Sequence, residues 1–198
     1  MPHYYDKHPE TGHARAVIEP VIRGVRLRFV TDAGVFSKHG VDYGTRLLIE
    51  TLAIPPGAQV LDVGCGYGPI GLYAARLCES AQVTMIDINH RAVDLARENA
   101  QANGIRNVEI LQSDLYEQVR GRTFDMIVSN PPIRAGKAVV HRIFEEAVEH
   151  LAPGGSLWIV IRKKQGAPSA LAKLESLFAR VEEKAKSKGY RVYKAVRN

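Results

Sequence analysis

The chain has 198 residues, 45% of them hydrophobic and 24% charged, a balance that suits one globular domain with a buried core. No apolar run approaches the roughly 18–20 residues that span a bilayer, no charged segment followed by an apolar one opens the chain, and Cys65 and Cys78 are the only cysteines. A membrane-spanning helix and a secreted disulfide scaffold are therefore excluded, and a reduced cytosol is the simplest home. The net charge of +6 is uneven: residues 162–198 hold 11 basic and 3 acidic residues, which fits a polyanionic partner as well as a solvated surface.

Residues 1–13 read as a polar lead-in. His3, His8 and His13 recur every five residues, a spacing that matches neither a helix face nor a strand face, so no metal site is expected there. Loose alternation around Arg23-Gly24 predicts a short hairpin, and residues 1–30 are taken as an extension to a main domain over residues 31–198. A helix over residues 43–52 follows, with Asp42 as its N-cap and Pro55-Pro56-Gly57 as its stop. Strands and helices then alternate: strand 59–63, helix 70–77, strand 82–88, helix 91–103 with Asn89 as N-cap, and strands 108–111 and 124–128. Apolar residues at helical spacing mark helix 139–151. Pro153-Gly154-Gly155 reads as a turn into strand 157–161. Such a series predicts a parallel sheet with helices on both faces.

The last segment breaks the pattern. After a helix near residues 169–178 come two strand-like stretches, 180–186 and 190–196, separated only by Ser187-Lys188-Gly189. So short a connection permits an antiparallel hairpin and excludes a parallel crossover.

Residues 62–71, DVGCGYGPIG, lie at a strand-to-helix turn, where glycines allow close backbone approach and a helix start offers free N–H groups. Gly66-x-Gly68-x-x-Gly71 satisfies a dinucleotide fingerprint, whereas Asp62-x-Gly64-x-Gly66-x-Gly68 resembles the first motif of S-adenosylmethionine-dependent methyltransferases. Asp87, at the end of the next strand, suits the ribose hydroxyls of either cofactor. Asp114, after the third strand, suits an adenine amine. Cys65 reads as a small loop residue, since no base stands beside it.

Ser129-Asn130-Pro131-Pro132-Ile133-Arg134 follows the strand at residues 124–128 and faces the same crevice as the glycine loop. Proline stiffens Asn130 and Pro131, and the prolines offer only carbonyl acceptors. A rigid set of acceptors suits an –NH2 group, whose lone pair would then turn toward an electrophile. Arg134 and Lys137, just beyond, suit phosphate contacts.

DVGCGYGPIG with SNPPIRAGK, preceded by GVFSKHGVDYGTRLLIE and followed by RKKQGA at residues 162–167, resembles the small-domain class I methyltransferases related to the ribosomal RNA guanine-N2 methyltransferase C type. The resemblance implies a Rossmann-like α/β fold with a mostly parallel seven-stranded sheet. It also implies S-adenosylmethionine as cofactor, held by Asp62, Gly64, Cys65, Gly66 and Gly68, with the ribose on Asp87 and the adenine near Ile88, Ser113, Asp114 and Leu115. Phe36 and Ser37 would lie over the methionine end. Asn130 and Pro131 would bind the target amine, with Pro132, Ile133, Arg134 and Lys137 contacting substrate. Many amino-group methyltransferases carry an aromatic residue where this chain has Ile133, so base stacking would fall to Phe36 or Tyr43. RNA, ribosomal RNA or a ribosomal subunit, is the implied partner. A protein-glutamine N-methyltransferase, an NAD-binding oxidoreductase and a non-catalytic RNA-binding module remain alternatives.

Overall fold

The computed structural model describes residues 14–32 and 40–198; the readings of His3, His8, His13, Phe36 and Ser37 lie outside these. Near the start, β1 (Ala16–Ile18) pairs antiparallel with β4 (Phe29–Thr31). Between them β2 (Val21–Ile22) and β3 (Val25–Arg26) form the expected hairpin about Arg23-Gly24. This segment is held by side chains from the main sheet's helices. Asn99 accepts from the Val30 N–H at 2.8 Å and donates to the carbonyls of Val30 and Tyr67, and Asn103 grips Arg28 in the same two-way manner.

The rest alternates as predicted: α1 (Tyr43–Thr51), β5 (Gln59–Val63), α2 (Pro69–Leu77), β6 (Gln82–Asp87), α3 (His90–Ala102), β7 (Val108–Gln112), β8 (Phe124–Ser129), α4 (Lys137–His150), β9 (Leu151–Arg162), α5 (Ala167–Leu177), β10 (Arg180–Ser187) and β11 (Tyr190–Val196). Seven strands make one sheet in the order β10-β11-β9-β8-β5-β6-β7. Pairs from β7 to β9 are parallel, and β11 runs antiparallel to both β9 and β10. Two apolar layers cover its faces, because residues alternate sides along each strand. Val60 joins the cluster under α1, α2 and α3, while Leu61 and Val63 join that under α4 and α5. Among the described residues no helix is long and apolar enough to cross a membrane.

One boundary differs by more than two residues. Pro153-Gly154-Gly155 does not precede β9 but lies inside it, because Leu151 already pairs with Phe124 before Ser156 pairs with Met126. The intervening bulge is pinned by Arg197, whose N–H donates to the Gly155 carbonyl and whose carbonyl accepts from Gly154 N–H. A turn-like tripeptide thus becomes strand through a partner 42 residues downstream of Gly155.

Candidate active site

The strand order reverses beside β5: β6 and β7 extend to one side, and β8 and β9 to the other. In open α/β sheets this reversal leaves a crevice at the carboxyl ends of the strands. Val63, Gly64, Asp87, Ile88, Ser113, Leu115, Asn130, Pro132 and Ile143 line a pocket there.

The glycine loop is folded back onto β6. Gly64 and Cys65 N–H groups both donate to the Ile86 carbonyl at 2.9 Å, and Gly68 N–H donates to the Cys65 carbonyl at 3.0 Å. Gly66 N–H donates to Asp87 Oδ2 at 2.9 Å. This path requires φ of +73°, +59° and +108° at Gly64, Gly66 and Gly68, the left-handed region that a Cβ disfavours. Asp87, nearly fully buried, also accepts from Asn89 N–H through Oδ1 at 2.9 Å. One carboxylate therefore shapes the loop and stands at the pocket wall.

Asp62 lies beneath the loop, fully buried. Its Oδ2 accepts from Gly71 N–H at the start of α2 at 2.9 Å, and its Oδ1 has no partner among the described residues. Burial, opposed by the Gly71 hydrogen bond and reinforced by the negative charge of Asp87, pushes the carboxyl up to about 7. Burial and the charges of Asp87 and Asp62 likewise hold the Cys65 thiol well above its ordinary range, which suits a space-filling residue and not a nucleophile. Beyond β7, Ser113 N–H donates to the Asp87 carbonyl, and its hydroxyl donates to the Leu115 carbonyl at 2.7 Å. Leu115 is buried at a φ of +50°, and Asp114 is half-buried.

Asn130 follows β8. Its side-chain NH2 donates to Thr45 Oγ1 at 2.9 Å and to Asp42 Oδ2 at 3.3 Å. Thr45 Oγ1 in turn donates to Asp42 Oδ2 at 2.8 Å, and Asp42 Oδ1 caps α1 by accepting from Thr45 N–H at 3.0 Å. With both amide hydrogens engaged, Oδ1 of Asn130 is left as the acceptor presented to a ligand. Pro131 is buried and Pro132 half-buried.

The remaining predicted contacts fall further out. Ile133, in a short 3-10 turn over Ile133–Ala135, packs against the α4–α5 cluster. Arg134 and Lys137 are exposed. The Tyr43 ring is already in contact with Tyr190, centroids 5.7 Å apart, and with Lys188 Nζ at 4.7 Å, so it is not an open stacking platform. Three residues escaped the sequence reading. Ile143 looks like any apolar position of α4; Asp42 was explained as a helix cap alone; and Thr45 carries no signal beyond its place one turn into α1.

The family model of the methyltransferase small domain matches residues 26–194. The uncharacterized protein YbxB of Bacillus subtilis is 52% identical over 195 residues, covering 98% of this chain and 97% of that protein. Ribosomal RNA small subunit methyltransferase C of Escherichia coli K12 is 36% identical over 167 residues, covering 82% of this chain and 47% of that protein. Among solved structures, the Thermus thermophilus 16S rRNA N2 G1207 methyltransferase in complex with AdoMet and guanosine superposes with a TM-score of 0.83 at 29% identity, covering 96% of this chain and 52% of that one. The chain spans about half the length of these ribosomal RNA methyltransferases.

Proposed function

The chain belongs to the methyltransferase small-domain family, and on that premise we propose that it transfers the methyl group of S-adenosylmethionine to the exocyclic N2 amine of a guanine in ribosomal RNA. The observation that carries this reading is the orientation of Asn130, whose NH2 is tied back to Thr45 and Asp42. An amide held that way accepts and does not donate at the crevice, which suits an amine and not a carbonyl substrate. The Thermus relative, described with AdoMet and guanosine, supports the same pairing of cofactor and base.

The residues suit the cofactor. The glycine loop permits close backbone approach, Asp87 stands at the end of the second core strand for ribose hydroxyls, and Ile88, Asp114 and Leu115 are assigned to the adenine. Asp62 Oδ1 is a buried oxygen without a partner among the described residues, beneath the glycine loop that would hold the cofactor. When bound, S-adenosylmethionine supplies an electrophilic methyl group on a sulfonium. Asn130 Oδ1 and the Pro131 carbonyl accept the two hydrogens of the target amine, which turns its lone pair across the crevice. Position and exclusion of water do most of the work, an effect worth up to about 7–11 kcal/mol for well-oriented reactants. No base is required before transfer, because the alkylated nitrogen becomes acidic and loses its proton to water.

Incubating small ribosomal subunits, and RNA extracted from them, with methyl-labelled cofactor tests the reading. Digestion to nucleosides and mass spectrometry should yield N2-methylguanosine. Label that survives nuclease and travels with protein would sink it in favour of a side-chain amide acceptor.

A further inference from the structure

We propose that the tip of the β10–β11 hairpin and the end of β9 form the grip for the RNA phosphate backbone, a reading that rests on the proposed function and gives it an address. The register sets Arg162 opposite Tyr190, and Lys163 N–H donates to the Gly189 carbonyl at 2.7 Å. Arg162, Lys163, Lys164 and Lys188 therefore crowd one corner of the carboxyl edge, and all four are exposed.

This corner adjoins Asn130 through a single helical turn. Tyr43 at the start of α1 meets Ser187 by a 2.6 Å hydroxyl–hydroxyl hydrogen bond. Tyr190 covers Gly44 so closely that a Cβ there would stand 2.7 Å from the ring. Thr45, the next residue, accepts from Asn130. The hairpin tip and the amine-binding amide thus flank the same turn.

Ion pairing neutralises only part of the hairpin below the tip, where Lys186 and Lys194 have no acid partner among the described residues. Lower on the hairpin, Arg180 and Lys184 pair with Glu182, and Arg191 pairs with Glu183. Among the described residues no acid pairs with Arg162, Lys163, Lys164 or Lys188. Two of these cations are held over aromatic rings, Arg162 5.6 Å from the Tyr190 centroid and Lys188 4.7 Å from that of Tyr43. Such stacking positions the cation while leaving its head available to solvent. Lys188 also occupies a φ of +48° in a two-residue turn, where asparagine or glycine is the relaxed choice. An unneutralised cluster of like charge, one of its members on a strained backbone, fits a polyanion threaded past the crevice. An acidic protein surface is the rival partner.

The test uses the full chain and a short fluorescein-labelled single-stranded oligoribonucleotide carrying guanine. A tip variant, R162Q/K163Q/K164Q/K188G, is compared with a base variant, R180Q/K184Q. The tip variant should bind at least about tenfold more weakly at low salt, with a log–log salt slope shallower by about 2–3, since each lost single-strand phosphate contact removes about 0.7. The base variant should change affinity by less than about twofold. Both should keep wild-type cofactor affinity in a thermal-shift titration, which reports an intact core. Equal effects in the two variants, or none in either, would overturn the grip. So would wild-type protein that ignores the oligonucleotide but captures poly-glutamate in a tip-dependent way. Failure of the methylation assay with tip-dependent RNA binding intact would instead overturn the proposed chemistry and leave the grip standing.

Discussion

The two halves of the sheet treat polar groups in opposite ways. At the carboxyl ends of β5 and β6 the polar groups turn inward: Asp62, Asp87, Asn89 and Ser113 are buried, and the glycine loop's N–H groups end on Ile86, Cys65 or Asp87. Around β9, β10 and β11 long cations dominate, and Arg162, Lys184 and Lys194 rest on tyrosine or tryptophan rings. A preformed cradle of backbone groups suits a small ligand of fixed shape. A fringe of exposed cations suits a long polymer of uniform charge. Asn130 and the first turn of α1 lie where these regimes meet.

The largest expected effect falls at that meeting point. Asn130→Ala should lower turnover on the order of a hundredfold, by analogy with loss of one preorganised polar group at a reacting centre, while cofactor affinity stays within about twofold. Equal losses in both would move Asn130 into the cradle and erase the division. Next comes Asp87→Ala, which strips acceptors from the buried Gly66 and Asn89 N–H groups. It should lower stability to urea by about 1–3 kcal/mol and abolish measurable cofactor binding in calorimetry. Thr45→Val removes the hydroxyl that holds Asn130 but keeps the shape, and should cut kcat about tenfold with unchanged cofactor affinity, with Thr45→Ser restoring it. A fall in cofactor affinity instead would make Thr45 a part of the cradle.

The last test is a pH slope. Asp62 keeps its proton in the folded chain up to about 7 but releases it near 3.8 when unfolded. Between those values the folded state holds the extra proton, so stability contributed at low pH declines as pH rises to about 7 and then levels. Asp62→Asn should lack that share of the decline in urea midpoints measured across this range. An unchanged slope would assign it to another group.

Much of this was legible because the core elements follow local rules. β5 was read to the residue, and α3 to within one at each end, from apolar period and glycine or asparagine punctuation. The loops after β5, β6, β7 and β8 were legible as site loops since ligands gather at strand ends. What stayed hidden depends on distant partners. β9 absorbs Pro153-Gly154-Gly155 only because Arg197 pins them. Asp42 reads locally as a cap, and its second role comes from Asn130, 88 positions away. The tail's charge was legible as a total, but the tertiary pairs were not: Arg191 meets Glu183 across the β10–β11 register, and Lys173 meets Glu145 on α4.

The anchoring of the glycine loop has a thermodynamic consequence. Four N–H groups from Gly64 to Gly68 are engaged within the chain itself, so a ligand finds little backbone conformational entropy to remove there. Their amide protons should exchange slowly with deuterium in the free protein, with little further protection on saturation. A cradle fixed by the chain's own hydrogen bonds leaves most of the ordering to the proposed RNA at the other half of the sheet.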